Sequence, residues 1–171
     1  NISNNLKNGM IYQVTKENDG TRRFTYLSEG VFELHGITPE EGLKDARLVY
    51  DSLIEEDKER LMKEEEDALK NLSLFKTETR IKNKNGLEKW VTIISSPKYL
   101  DDNQIYWDGI EFDITDLKRA EKEIKDNLVE KEALLRELYH RTKNNMNVII
   151  SFLQLQSKRA ANDTLKPIFN D

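Results

Sequence analysis

Apolar and polar residues recur with two different periods along this chain, and the change falls near "FDITDLKRAEKEI". Before it the runs are short. "GMIYQVTKE" (Gly9 to Glu17) and "RRFTYLS" predict two strands, and the turn "NDG" between them predicts a hairpin, because Asp-Gly tolerates positive φ. "SEGVFELHG" predicts a short helix stopped by Gly36. "TPEEG" predicts another, with Thr38 as N-cap and Pro39 at the first helical position. "SLIEEDKERLMKEEEDALKNL" predicts a longer helix in which Ile54, Leu61, Met62, Ala68 and Leu69 form one apolar stripe. Three strands close this half. "LFKTETRIK" sets Phe75, Thr77, Thr79 and Ile81 on one face against Lys76, Glu78 and Arg80 on the other. "NKNG" turns, "EKWVTIISSPKYL" returns, and "DDNQ" turns again. "IYWDGIEFDIT" leads out with Ile110, Phe112 and Ile114 on one face. This order predicts an α+β domain, a five-stranded antiparallel sheet with helices on one side.

From Asp116 the period becomes helical. Leu117, Ala120, Ile124, Leu128, Leu135, Leu138, Ile149 and Phe152 recur mostly three or four apart, a coiled-coil-like seam broken around Lys131 and again at Thr142 and Asn145. Glu, Lys and Arg fill the other faces. So long and polar a helix buries its stripe only against a partner, most simply a second copy of the chain, which predicts a homodimer. "ANDTLKP" (Ala161 to Pro167) permits a turn, with Asn162 or Asp163 capping a short next helix.

Composition narrows the function classes. Charged residues make up 35% of 171 residues, with a net charge of −5 and the two signs interspersed, so no basic stripe points to nucleic acid. There is no cysteine, which excludes disulfides, thiolate metal sites and cysteine nucleophiles and fits a reducing compartment. No apolar run approaches the length of a membrane span. A cytoplasmic location is the expectation, and a chain that starts at Asn1 reads as part of a longer protein. All seven glycines lie before residue 115, so the two halves differ in kind.

The candidate chemistry lies in the helical half, in "RELYHRTKNNMNVII" (Arg136 to Ile150). At roughly 100° per residue, His140 sits roughly 160° from Leu138 and faces away from the seam. Glu137 and Asn144 share its face, flanked by Arg141 and Lys143. One His and one Glu do not make a metal site, and no serine joins them in a triad. A neutral imidazole is a nucleophile near pH 7 and can attack the γ-phosphorus of ATP. Glu137 could take the departing ring proton or hold the other ring nitrogen, Arg141 and Lys143 could neutralise phosphoryl oxygens, and Asn144 could orient a water. The plain alternative is a solvated helix face carrying an incidental histidine.

Two resemblances bear on this choice. The element order, with "ELHGITPEE" after the second strand and the closing "FDITDLKRAE", resembles a PAS sensor domain over residues 8–115. In that family a final Asp-Ile-Thr, here Asp113 to Thr115, hands over to a helix leading into an output module, here residues 116–133. "LLRELYHRTKNNMNVIISFLQLQ" is similar to the dimerisation and phosphoacceptor helix of sensor histidine kinases marked by His-Arg-x-Lys-Asn-Asn. His140, Arg141, Lys143, Asn144 and Asn145 match residue by residue, whereas Tyr139 stands where many members have His or Asn. The resemblance implies that residues 134–171 are part of a dimerisation and phosphoacceptor bundle and that His140 is the phosphorylated residue. It further implies transfer to the aspartate of a response-regulator receiver domain, and ATP and magnesium held by a separate kinase domain. No Asn-rich magnesium box or glycine-rich lid is present in these residues, so they should not autophosphorylate alone. A ligand-binding or dimerisation module without phosphotransfer is the competing reading.

No cofactor is evident for the sensor half. The flavin photochemistry usual in PAS relatives needs a cysteine. Haem-binding members use a histidine on the long helix, and residues 51–70 have none. His35, at a helix end, reads as a surface or capping residue, and Trp90 and Trp107 read as core. A small-molecule ligand between sheet and helices is possible in principle, and the sequence does not name it.

Overall fold

The computed structural model describes residues 6–17, 19–99 and 104–165. Five strands, β1 (Gly9–Lys16), β2 (Arg22–Leu27), β3 (Phe75–Lys82), β4 (Glu88–Tyr99) and β5 (Ile105–Asp113), form one antiparallel sheet in the order β2-β1-β5-β4-β3. Four helices, α1 (Gly30–His35), α2 (Pro39–Lys44), α3 (Arg47–Tyr50) and α4 (Glu55–Lys70), lie between β2 and β3 in sequence. Helix α5 (Thr115–Leu165) follows the sheet. The predicted α+β architecture followed by a long helix is the one observed. The predicted "DDNQ" turn lies largely outside the described residues.

Local chemistry explains the short helices. Thr38 closes a capping box on α2: its hydroxyl accepts from the Glu41 N–H, and the Glu41 carboxylate accepts from the Thr38 N–H at 2.8 Å. Gly36 ends α1 at φ +74°, a conformation that side chains resist. Gly30 lets α1 lie directly on β1, since a Cβ there would fall 1.9 Å from the Gly9 carbonyl oxygen. Helix α3 was not foreseen; its four residues are too few to show a period.

The core fills the space between sheet and helices. Met10, Val14, Phe24, Val31, Leu34, Ile37, Ile81, Val91 and Trp107 are all buried. Phe75, Thr77, Thr79 and Ile81 face inward as the alternation requires. On α4 the stripe is narrower than predicted. Leu61 and Ala68 are buried, but Met62 is 68% exposed, because hydrogen bonds from Arg60 to Thr77 Oγ1 and to the Glu78 carbonyl fix the roll of the helix against β3. The face of β5 also reverses the simple expectation. Ile110 and Phe112 do share a face, but they are only half-buried, whereas Trp107, Gly109 and Glu111 point into the core.

Contacts divide the molecule into two compact units, Asn1–Arg119 and Ala120–Asp171. Helix α5 is continuous past Lys131, Thr142 and Asn145, so the breaks in its apolar seam do not break the backbone. It also continues through Asn162 and Asp163, where a turn was anticipated; Pro167 lies outside the described residues. No helix among the described residues is long and apolar enough to cross a membrane.

Candidate functional site

On α5 every predicted site residue, Glu137, His140, Arg141, Lys143 and Asn144, is exposed. Helical spacing brings Glu137 and Arg141 together, and their side chains pair at 2.5 Å. Glu137 is therefore engaged by the arginine one turn on rather than by the imidazole. The pairing has a simple cause: an acid four residues ahead of a base is the favourable order along a helix. The His140 ring meets Tyr139 edge-on, with centroids 6.2 Å apart. Lys143 and Asn144 make no side-chain hydrogen bond or ion pair among the described residues. Helix α5 thus presents an accessible imidazole beside one internally neutralised pair, one unengaged cation and one carboxamide.

The start of α5 is fixed within the first unit. Thr115 Oγ1 accepts from the Trp90 N–H at 3.0 Å, and the Thr115 N–H donates to Asp113 Oδ1 at 2.9 Å. The Ile114 N–H donates to the Trp90 carbonyl. Lys89 pairs with Asp113 at 3.0 Å, and Lys118 pairs with Glu78 at 2.6 Å. Burial opposes ionisation of Asp113, but the hydrogen bonds from Thr115 and the charge of Lys89 prevail and hold its carboxyl below the ordinary range. Trp90 is not core. Arg80 and Lys118 both lie over its ring, at 5.9 and 5.8 Å. The Asp-Ile-Thr segment therefore ties the last strand, the edge hairpin and the first turn of α5 together.

The interior of the first unit holds polar residues that the sequence reading placed elsewhere. His35 is 2% exposed and Glu111 3%, so His35 is not a surface or capping residue. The reason is that α1 seats on β1 through Gly30, which turns the last residue of the helix inward. Strand register brings its neighbours into rows. Tyr12, Gly109 and Ser95 lie side by side on β1, β5 and β4, and Met10, Glu111 and Ile93 form the next inward row. Gly109 leaves room for the Tyr12 ring, whose Cζ would be 2.2 Å from a Cβ there. Tyr12 reaches Ser95, and burial pushes its phenol well above its ordinary pKa. His35, Tyr12, Ser95, Met10, Ile93 and Glu111 line a cavity of about 370 Å³ with Arg22, Tyr50 and Trp107. The available signal was parity: Glu111 is in phase with Trp107, not with Ile110 and Phe112.

Comparison with known proteins follows these two regions. The family described as PAS fold matches residues 24–110, and the family described as histidine kinase matches residues 137–171. A blue-light-activated histidine kinase of Brucella anthropi is 29% identical over 146 residues, covering 81% of this chain and 26% of that protein. The sensor histidine kinase PdtaS of Mycolicibacterium smegmatis is 37% identical over 51 residues, 30% of this chain and 9% of that protein. The chain thus spans only a small part of the curated relatives that it matches. Among solved structures, the PAS domain of a Colwellia psychrerythraea protein superposes with a TM-score of 0.56 at 21% identity, covering 67% of this chain and 92% of that one. The chain belongs to the PAS fold family, and its helical half matches the histidine kinase family over residues 137–171.

Proposed function

We propose that the chain senses through its PAS domain and carries the phosphoacceptor of a two-component kinase, with His140 as the acceptor. The observation that carries this reading is the histidine kinase family match over residues 137–171, whose fourth residue is an imidazole exposed on a continuous helix. In the reaction a ring nitrogen attacks the γ-phosphorus of ATP. An N–P bond forms, the bond from phosphorus to the β–γ bridging oxygen breaks, and ADP leaves with the electron pair. Glu137 takes the ring proton once Arg141 swings from it to the incoming phosphoryl oxygens, where Lys143 joins it. Asn144 orients the water of any later hydrolysis. A receiver-domain aspartate is the second acceptor.

The output helix works as a pair. Leu128, Leu135 and Leu138 are exposed in the single chain, and a second copy supplies the apolar surface that they lack. The Thr115–Trp90 and Lys118–Glu78 contacts carry a change in the sensor sheet into the first turn of α5, and the paired helices convert it into access to His140. ATP as phosphoryl source fits a cytoplasmic location.

The test supplies the ATP-binding domain of a related histidine kinase in trans, with radiolabelled ATP and magnesium. Acid-labile label on the wild-type chain and none on His140→Gln is the expected result. Undiminished label on His140→Gln would overturn the assignment.

A further inference from the structure

The sensor cavity contains two buried polar atoms, His35 Nε2 and Glu111 Oε1, that face each other with no hydrogen-bond partner. Ser52 Oγ donates its one proton to the Val49 carbonyl at 2.6 Å. It must therefore accept from His35 Nδ1, 2.9 Å away, so that nitrogen carries hydrogen. In the neutral ring Nε2 is then a bare lone pair. It lies 3.2 Å from Glu111 Oε1, an acceptor as well. Despite that approach the two are not aligned for a hydrogen bond, and neither atom has a partner. An unsatisfied buried acceptor is costly, and a buried carboxylate more so. A fold that keeps both unpartnered at the wall of this cavity leaves a place for a donor brought from outside.

The rest of the wall restricts what brings it. Phe75 meets Trp107 edge-on at 6.2 Å, and Phe24 stacks on Tyr50 at 5.8 Å, surroundings suited to a flat aromatic molecule. Both cations at the wall are engaged: Arg22 by Glu65 at 2.5 Å and Lys58 by Glu55 at 2.6 Å. Neither Arg22 nor Lys58 is left to receive an anionic ligand, and a second carboxyl beside that of Glu111 is disfavoured.

We propose that this cavity binds a small aromatic molecule that is not anionic and carries an N–H donor shared by His35 Nε2 and Glu111 Oε1. The inference rests on the sensory part of the reading above and names its ligand class; it does not depend on phosphotransfer at His140.

The probes are indole, indene, which has the same shape without the donor, and indole-3-carboxylate, titrated into the full chain by calorimetry or NMR. Indole should bind roughly tenfold or more tightly than indene, as a hydrogen bond to a buried charged acceptor implies, and indole-3-carboxylate should bind weakest. In Glu111→Leu the indole-to-indene preference should fall to about threefold or less. Glu111→Gln, a closer shape match, should give an intermediate preference. Equal binding of indole and indene, tightest binding of the carboxylate, or no binding of any probe at millimolar concentration overturns the proposal. Indole binding should be unchanged in His140→Gln. Probe binding that fails while His140 is still labelled would refute the ligand class alone, and loss of labelling with intact binding would refute the phosphoacceptor alone.

Discussion

The sensor unit and the long helix treat the same kinds of residue in opposite ways. In the first unit Leu34, Val31, Ile81 and Val91 are wholly buried by their own chain. On α5, Leu135 and Leu138 are 65% and 60% exposed although their spacing is as regular. A sheet covered by helices encloses a volume, so each inward residue finds neighbours on several elements. A lone helix encloses none, and its stripe gains nothing until another helix arrives. The stability of the first unit is a property of one chain, whereas under the proposed pairing the ordering of the second depends on concentration.

The sharpest way to break this contrast is to charge the seam. The double variant Leu128→Glu and Leu135→Glu should weaken self-association by two orders of magnitude or more in sedimentation equilibrium, since two apolar knobs become repelling charges. Thermal unfolding of the sensor unit should stay where it is. A matching loss of sensor stability would show that the two units are not independent.

The next effect is the reverse experiment. Leu34→Ala removes a fully buried side chain of the sensor core and should cost roughly 2–5 kcal/mol in urea unfolding. It should leave self-association through α5 unaltered. A smaller cost, about 1 kcal/mol, is expected for Thr38→Ala, which opens the capping box of α2. Glu41→Gln keeps the acceptor on N3 and should cost less.

The smallest effect concerns two carboxylates of the first unit, Asp113 just before α5 and Asp57 on α4. The carboxyls of Asp113 and Asp57 are held below their ordinary pKa against the opposing effect of burial. Thr115 and Lys89 do this for Asp113, and Arg80 with Thr79 for Asp57. A depressed folded value means that the stabilisation is complete above the unfolded carboxylate pKa of about 3.9 and is lost as pH falls through the folded value. Urea midpoints of the sensor unit should therefore be flat from pH 7 to about 5 and fall below about 4. The fall should be shallower in Asp113→Asn, which starts from a lower plateau.

What the sequence determined is whatever depends on neighbours along the chain. The alternation in "FKTETRIK" set the inward face of β3, Thr38-Pro39-Glu40-Glu41 set the start of α2, and the spacing from Leu117 to Phe152 set a long amphipathic helix. The clustering of Glu137, Arg141 and Asn144 around His140 was legible for the same reason, since one helix fixes those distances by itself. Which acid meets which base was less legible: Glu137 pairs with Arg141, the base one full turn on, rather than with the imidazole three residues on. Only the tertiary structure decided the inward turn of His35 and the burial of Glu111. Those depend on how closely α1 approaches β1 at Gly30 and on which parity of β5 faces the helices. Such facts come from strand register and element packing, which bring residues 35 and 111 together across a separation that no local period spans.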